Sequence, residues 1–109
     1  MDSVVELMHY ISASWIRRGR TYYRHIVVVV NVSKNPIMQL ILSVKNISYP
    51  LWGLFESRDK NVYTLPPWIK VLNPGGHFHF VYVQAGPQAT IFVLGYKGGK
   101  STNFLLEST

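Results

Sequence analysis

Apolar and polar residues alternate along much of this chain, and an alternation with a period of two is typical of β-strands that bury one face. Two segments show it most clearly, 37–46 and 77–83. The side chains predicted to point into a core are large and apolar: Leu40, Leu42 and Val44 in the first segment, and Phe78, Phe80 and Tyr82 in the second. Residues of the opposite phase, such as Lys45 and His79, are predicted to face outward.

Further strands are predicted where β-branched and aromatic residues concentrate between turn-forming residues. They are expected at 21–33 and 89–96, with one or two short strands near 61–65 and 68–72. A strand is also favoured at 4–15, although a helix in its first turns is compatible with the pattern. Turns are predicted around Gly19 and at 73–76. Because no segment shows a strong amphipathic helix, the predicted fold class is all-β, as a single β-sandwich of antiparallel strands.

The length of 109 residues suits one domain, and a hydrophobic content of 48% is sufficient for a modest core. We expect the domain to occupy residues 1–97 and the stretch 98–109 to be a flexible C-terminal tail, because its glycines and irregular pattern offer few anchors. The absence of cysteine excludes disulfide bonds and cysteine-based metal sites. No apolar run approaches the ~20 residues that span a bilayer, so we expect no membrane association.

The acidic residues do not predict catalysis. Glycoside hydrolysis needs two carboxylates across the scissile bond, and among the five acids only Glu56 and Asp59 are close in sequence. They lie beside Arg58 and Lys60 in a polar run, so a solvated loop explains them better. His77 and His79 could share a strand face, but a half-exposed face is the better interpretation of two such histidines. We therefore expect neither an enzyme nor a bound metal or cofactor.

The net charge of +6 favours polyanionic partners, and much of it lies in one basic turn. Arg17, Arg18 and Arg20 stand beside Tyr22, an arrangement that suits single-stranded nucleic acid as well as a solvated turn. It also suits a sugar chain, because arginine donates hydrogen bonds to hydroxyls and an aromatic ring packs on a pyranose face. For a sugar chain, Arg20 and Arg24 are the predicted hydrogen-bond donors.

With 3 Trp, 7 Tyr and 5 Phe, the chain has more large aromatic residues than a core of this size needs. Trp15, Tyr22 and Trp52 are candidates for exposed rings, although burial in the core is about equally compatible with the sequence. Trp52 is fixed between Pro50-Leu51 and Gly53. Trp68, after Pro66-Pro67, is a further possible binding residue, but we favour a position that caps the core.

Several motifs occur in an order and spacing that resemble the plant carbohydrate-binding module of family 49, the C-terminal cellulose-binding domain of certain glycoside hydrolase family 9 endoglucanases. They are Ser14-Trp15, Gly19–Arg24, Val29-Val30-Asn31 with Ser33, Pro50-Leu51-Trp52-Gly53-Leu54, Pro67-Trp68 and Phe80-Val81-Tyr82. The resemblance covers roughly residues 8–97. It implies a β-sandwich that binds cellulose or a related β-glucan without catalysis, and it implies stacking on glucose rings by Trp15, Tyr22 and Trp52.

The resemblance also implies polysaccharide as partner, an attached endoglucanase catalytic domain, and an extracellular location in the cell wall if the chain is secreted. No signal peptide is visible in the N-terminal residues. Two sequons, at Asn31 and Asn46, would accept N-glycans only in a secreted chain.

Two other functions remain open at the level of sequence. The basic turn allows nucleic-acid binding, although we favour this partner less. In addition, Ile26, Val28 and Val30 are apolar at positions predicted to face outward, so this face could dock a protein partner or a second copy.

Overall fold

The computed structural model describes residues 4–47, 51–86, 88–98 and 105–106, the last two in their backbone only. This part of the chain contains no helix and nine strands: β1 Val5–Arg17, β2 Arg20–Asn31, β3 Ile37–Lys45, β4 Leu51–Trp52, β5 Phe55–Glu56, β6 Val62–Thr64, β7 His77–Ala85, β8 Thr90–Gly98 and β9 Leu105–Leu106. Accordingly, no helix among the described residues is long and apolar enough to cross a membrane.

The strands form two antiparallel sheets that pack face to face. One sheet has four strands in the order β1-β2-β7-β4, and the other has five in the order β5-β6-β3-β8-β9. Their inner faces supply the core, which contains Val27, Val29 and the six side chains of β3 and β7 that the alternation predicts to point inward. The predicted fold class, an all-β sandwich of antiparallel strands, is therefore confirmed.

The strand predictions differ from the structure where a strand is too short to show a period. The segment 68–72 is not a strand, since only Leu72 forms a bridge, to Ile37. The two-residue strands β4 and β5 were not predicted. Strand β9 lies inside the stretch predicted to be a flexible tail, and it pairs with Gly95 and Tyr96 of β8.

The hairpin between β1 and β2 has a two-residue loop, Arg18-Gly19, in which both residues have positive φ values of 51° and 76°. These are the signs that a type I′ turn requires, and its twist matches that of the flanking strands. The turn therefore fixes the register of the hairpin, with Arg17 opposite Arg20 and Trp15 opposite Tyr22.

A bulge at Ser12 interrupts this hairpin. Ile11 pairs with His25, whereas Ala13 pairs with Arg24, so Ser12 is an extra residue on β1. An extra residue shifts the side chains beyond it by one phase. Trp15 would otherwise point toward the other sheet, and the bulge turns it to the outer face.

Two histidines and a tyrosine form a polar cluster in the interior. His9 Nε2 lies 2.9 Å from His25 Nδ1 and 3.2 Å from the Tyr82 hydroxyl, which accepts a hydrogen bond from the Ala89 N–H. The His25 ring stacks on Tyr82 with a centroid distance of 4.5 Å. His25 Nε2 is buried and has no hydrogen-bond partner among the described residues. Burial lowers the pKa of both histidines, and the neighbouring His9 lowers the pKa of His25 further.

This cluster makes stability depend on pH. Because both folded-state pKa values lie below the ordinary value of 6.5, the unfolded chain binds more protons in acid, and the contribution present above pH 6.5 is lost as the pH falls. We expect the free energy of unfolding to be level above about pH 7 and to fall by at most ~1.4 kcal/mol per pH unit for each histidine below that. Urea denaturation at a series of pH values measures this free energy of unfolding.

The exposed histidines provide the control. His77→Gln/His79→Gln should keep the pH dependence, because both side chains are exposed, whereas His9→Gln should reduce its slope. A slope that persists in His9→Gln and disappears in the double variant would contradict the assignment.

Candidate functional site

All five residues predicted to bind carbohydrate lie on the outer face of the four-stranded sheet. Tyr22 and Arg24 alternate with the inward residues of β2, and their partners on β1 share their face. Trp15 is the partner of Tyr22, and Arg17 is the partner of Arg20. Trp52 on β4 pairs with Val81, which pairs with Ile26 of the same outer phase. The face that carries Trp15, Tyr22 and Trp52 is called the aromatic platform below.

Trp15 and Tyr22 form one pair of rings at the end of the hairpin. Their ring centroids are 6.4 Å apart and their planes differ by 16°, so the rings are nearly parallel and laterally offset. Trp15 remains 40% exposed. The type I′ turn and the bulge at Ser12 together place the two rings side by side on the solvent face.

Arg24 is held in place beside these rings. Its Nε donates a hydrogen bond of 2.7 Å to the Ser12 hydroxyl, and that hydroxyl lies 3.3 Å from the Arg24 carbonyl oxygen, to which it donates. The bulge residue thus orients the guanidinium group. Arg20 lies at the tip of the hairpin and is exposed, so it can approach a ligand from the end of the platform.

Trp52 is carried on the two-residue strand β4 at the opposite edge of the sheet, and it is 58% exposed. The next residue, Gly53, has a φ of 105° and passes very close to β7. A Cβ atom at Gly53 would lie 2.9 Å from the His79 carbonyl oxygen and 3.0 Å from Phe80 Cα. Glycine at this position is therefore what allows β4 to reach β7 and to present Trp52 outward.

The register gives the size of the platform. Tyr22 and Trp52 are separated by four residues along β2 and by two strand spacings across the sheet, which corresponds to about 16 Å. Half-buried apolar side chains of β2 and β7, among them Ile26 and Val81, form the floor between them. The platform is thus an open, extended face with aromatic rings at two corners and arginines along one end.

Sequence reasoning missed Tyr10, which belongs to the same face. It pairs with Ile26 and so lies in one row with Val81 and Trp52, and it is 51% exposed. A signal was available, since Tyr10 has the phase opposite to Val5 and Leu7 in a predicted strand.

Trp68 does not cap the core, so that expectation is wrong. It is 74% exposed and lies in the segment between β6 and β7, outside the four-stranded sheet. The preceding Pro66 is buried and accepts a hydrogen bond from the Ile69 N–H, which forms a tight turn that points Trp68 away from the core. Trp68 is therefore not part of the platform.

The two sequons differ in accessibility. The Asn31 side chain is fully buried, and it donates from Nδ2 to the carbonyl oxygens of Asn35 and Leu72. Its Oδ1 accepts from both the backbone and the side chain of Ser33. A glycan on Nδ2 is incompatible with this arrangement. Asn46 is exposed and donates to the Thr90 hydroxyl, so modification there stays a prediction.

Among the described residues, the fold brings together no cluster of side chains suited to metal binding. Within the described residues, no group of three or more His, Cys, Asp or Glu side chains is close enough to hold a metal ion. Glu56 belongs to β5, the edge strand of the five-stranded sheet, and Asp59 lies in the turn after it.

The sequence profile of the carbohydrate binding domain CBM49 matches residues 5–86, which include every strand of the four-stranded sheet. The chain belongs to the CBM49 family. This membership places it among the carbohydrate-binding modules, and the resemblance seen in the sequence motifs is confirmed.

Curated relatives of this CBM49 domain are plant endoglucanases. Endoglucanase 5 of Arabidopsis thaliana is 45% identical over 92 residues, covering 84% of this chain and 15% of the relative. Endoglucanase 15 of Oryza sativa subsp. japonica is 44% identical over 89 residues, covering 80% of this chain and 14% of the relative. The chain therefore spans about one-seventh of the length of these relatives.

A solved structure shares the fold of this CBM49 domain. A chitinase from Bacillus thuringiensis matches with a TM-score of 0.54 and 17% identity, covering 79% of this chain and 15% of the chitinase chain. At this level of identity the match shows a common fold only.

Proposed function

We propose that this CBM49 domain binds cellulose or a related β-glucan on the aromatic platform and does not itself catalyse hydrolysis. The observation that carries the proposal is that Trp15, Tyr22 and Trp52 occupy one face of one sheet. A glucan chain presents apolar C–H ring faces and hydroxyl edges. The aromatic rings of the platform would cover the C–H faces, while Arg24 and Arg20 would donate hydrogen bonds to the hydroxyls.

The shape of the platform supports a polymer rather than a single sugar. It is open and extends about 16 Å from Tyr22 to Trp52, so it can contact several successive pyranose rings of an extended chain. In this proposal the domain anchors an endoglucanase, as the names of its relatives suggest. The domain would act in the cell wall, outside the cell.

Depletion of the purified chain from solution by microcrystalline cellulose tests the proposal. We expect depletion at 50 mM and at 500 mM salt to be nearly equal, because stacking on a neutral glucan releases few counterions. Binding lost at high salt would contradict stacking as its source, and no depletion of a folded sample would contradict cellulose as the ligand.

A nucleic-acid function has one observation in its favour, the four exposed arginines at the end of the hairpin: Arg17, Arg18, Arg20 and Arg24. Its affinity for a single-stranded oligonucleotide would fall steeply with salt. Protein docking has less support, because Ile26, Val28 and Val30 are half-buried in the sheet rather than exposed. The cellulose proposal accounts for the arginines and the aromatic rings together.

A further inference from the structure

A groove of about 630 Å³ lies at the five-stranded sheet, on the opposite side of the sandwich from the platform. It exists because the chain separates from β3 and returns to it. Strand β6 pairs with β3 only as far as the pair Thr64–Ile41, and the chain next meets β3 at Leu72, which pairs with Ile37. Between these points residues 65–71 form no strand pairing with β3, and several of them line the groove.

The main chain of β3 borders this groove at Leu40. Val44 donates its N–H to the Asn61 carbonyl oxygen on the β6 side. In an antiparallel ladder every second residue points its polar groups the same way, so those of Leu42 and Leu40 also face that side. Leu40 lines the groove although its side chain is buried in the core. Its main chain therefore faces the side of β3 on which the groove lies.

The charge of the groove is positive. Lys70 and Lys97 line it, and no acidic residue in the described part of the chain does. Neither lysine forms an ion pair with an acid among the described residues, whose acids are Glu6, Glu56 and Asp59. Two cations beside uncharged walls complement an anionic occupant.

The uncharged walls suit a sugar chain. Ile41, Pro67 and Ile69 offer apolar surface to the C–H face of a pyranose ring, and Gln39 offers an amide to its hydroxyls. The Thr64 hydroxyl donates to the Phe55 and Leu65 carbonyl oxygens, so it offers a sugar hydroxyl an acceptor. The lining thus offers both kinds of contact that a sugar chain makes, apolar contact with its C–H faces and hydrogen bonds with its hydroxyls.

We propose that this groove binds a carboxylate-bearing polysaccharide, a chain of uronic acid residues, with Lys70 and Lys97 pairing to its carboxylates. The site goes beyond the proposed function, since it lies on the other sheet and takes an acidic rather than a neutral sugar. A domain with both sites would bridge two kinds of polymer.

Calorimetric titration of the full chain with a hexamer of galacturonic acid tests the proposal. We expect Lys70→Gln/Lys97→Gln to weaken binding roughly tenfold, because two partly exposed ion pairs are lost. The matched control is Lys34→Gln/Lys60→Gln, which removes the same charge from exposed residues outside the groove. The control should bind as the parent chain does, and Lys70→Arg/Lys97→Arg should retain most of the affinity.

Equal weakening by the two Gln double variants would overturn the proposal, because it would show attraction to net charge alone. Absence of measurable binding would also overturn it. A single-stranded oligonucleotide that binds more tightly with the same dependence on Lys70 and Lys97 would overturn the class of ligand. None of these results changes cellulose depletion through the platform, so the two proposals fail separately.

Discussion

Replacing Trp15 and Trp52 together by alanine is expected to abolish depletion by cellulose while the folded structure persists. Each indole contributes about 1–2 kcal/mol if its exposed face is covered by ligand. Losing both therefore weakens binding by about a hundredfold, beyond what depletion detects. The fold should survive because Trp15 is 40% and Trp52 58% exposed. Depletion isotherms and urea denaturation of the same samples measure the two effects.

Trp68→Ala is the matched control for this pair. It removes an indole that is 74% exposed but lies outside the four-stranded sheet, so cellulose binding should stay near that of the parent chain. Tyr10→Ala should cause a smaller loss than either platform tryptophan, because a phenol ring covers less apolar surface. If the Trp15/Trp52 variant retained cellulose binding, or if Trp68→Ala lost it, the platform would not be the cellulose-binding site.

The sequence predicts the core well because alternation is a direct consequence of strand geometry. The inward phases are uninterrupted over residues 40–44 of β3 and 78–82 of β7, so Leu42 and Phe80 were placed correctly from the spacing alone. The five long strands β1, β2, β3, β7 and β8 and the turn at Gly19 follow from the same pattern and from turn chemistry.

The platform could be predicted only in part. Strict alternation along β1 groups Trp15 with the inward residues Val5 and Leu7, and the bulge at Ser12 reverses this. A serine in a strand carries no clear signal of a bulge. The outward position of Trp15 came instead from its neighbouring arginines and from the family resemblance, and neither of these depends on the strand register.

The position of Trp52 and the existence of the groove both depend on contacts between residues that are far apart in the sequence. Strand β4 has two residues and no period, and its place is set by pairing with β7, some thirty residues later. The groove depends on the return of the chain to Ile37 at Leu72. The proline pair before Trp68 suggested a cap on the core, but it forms a turn that directs the indole to solvent.

Gly53 connects the fold to the platform, and Gly53→Ala is expected to lower the free energy of unfolding by about 3 kcal/mol or more. Its φ of 105° is one that side chains rarely adopt, and the added Cβ would lie within 3.0 Å of backbone atoms of β7. Backbone atoms in a paired strand cannot move aside as a flexible side chain can. The remaining way to relieve the contact is to detach β4, which would displace Trp52 and weaken cellulose binding.

Gly75→Ala separates the two causes of this destabilisation. Gly75 also has a positive φ, 77°, but no atom of the described residues lies within 4 Å of the place that an alanine Cβ would take. Only the backbone conformation is therefore penalised, by about 1 kcal/mol. Urea denaturation should show a clearly larger loss for Gly53→Ala, and cellulose depletion should be reduced in that variant alone. Equal losses of stability and unchanged binding would mean that β4 tolerates a side chain at this position, and that the close approach to β7 does not hold Trp52 in the platform.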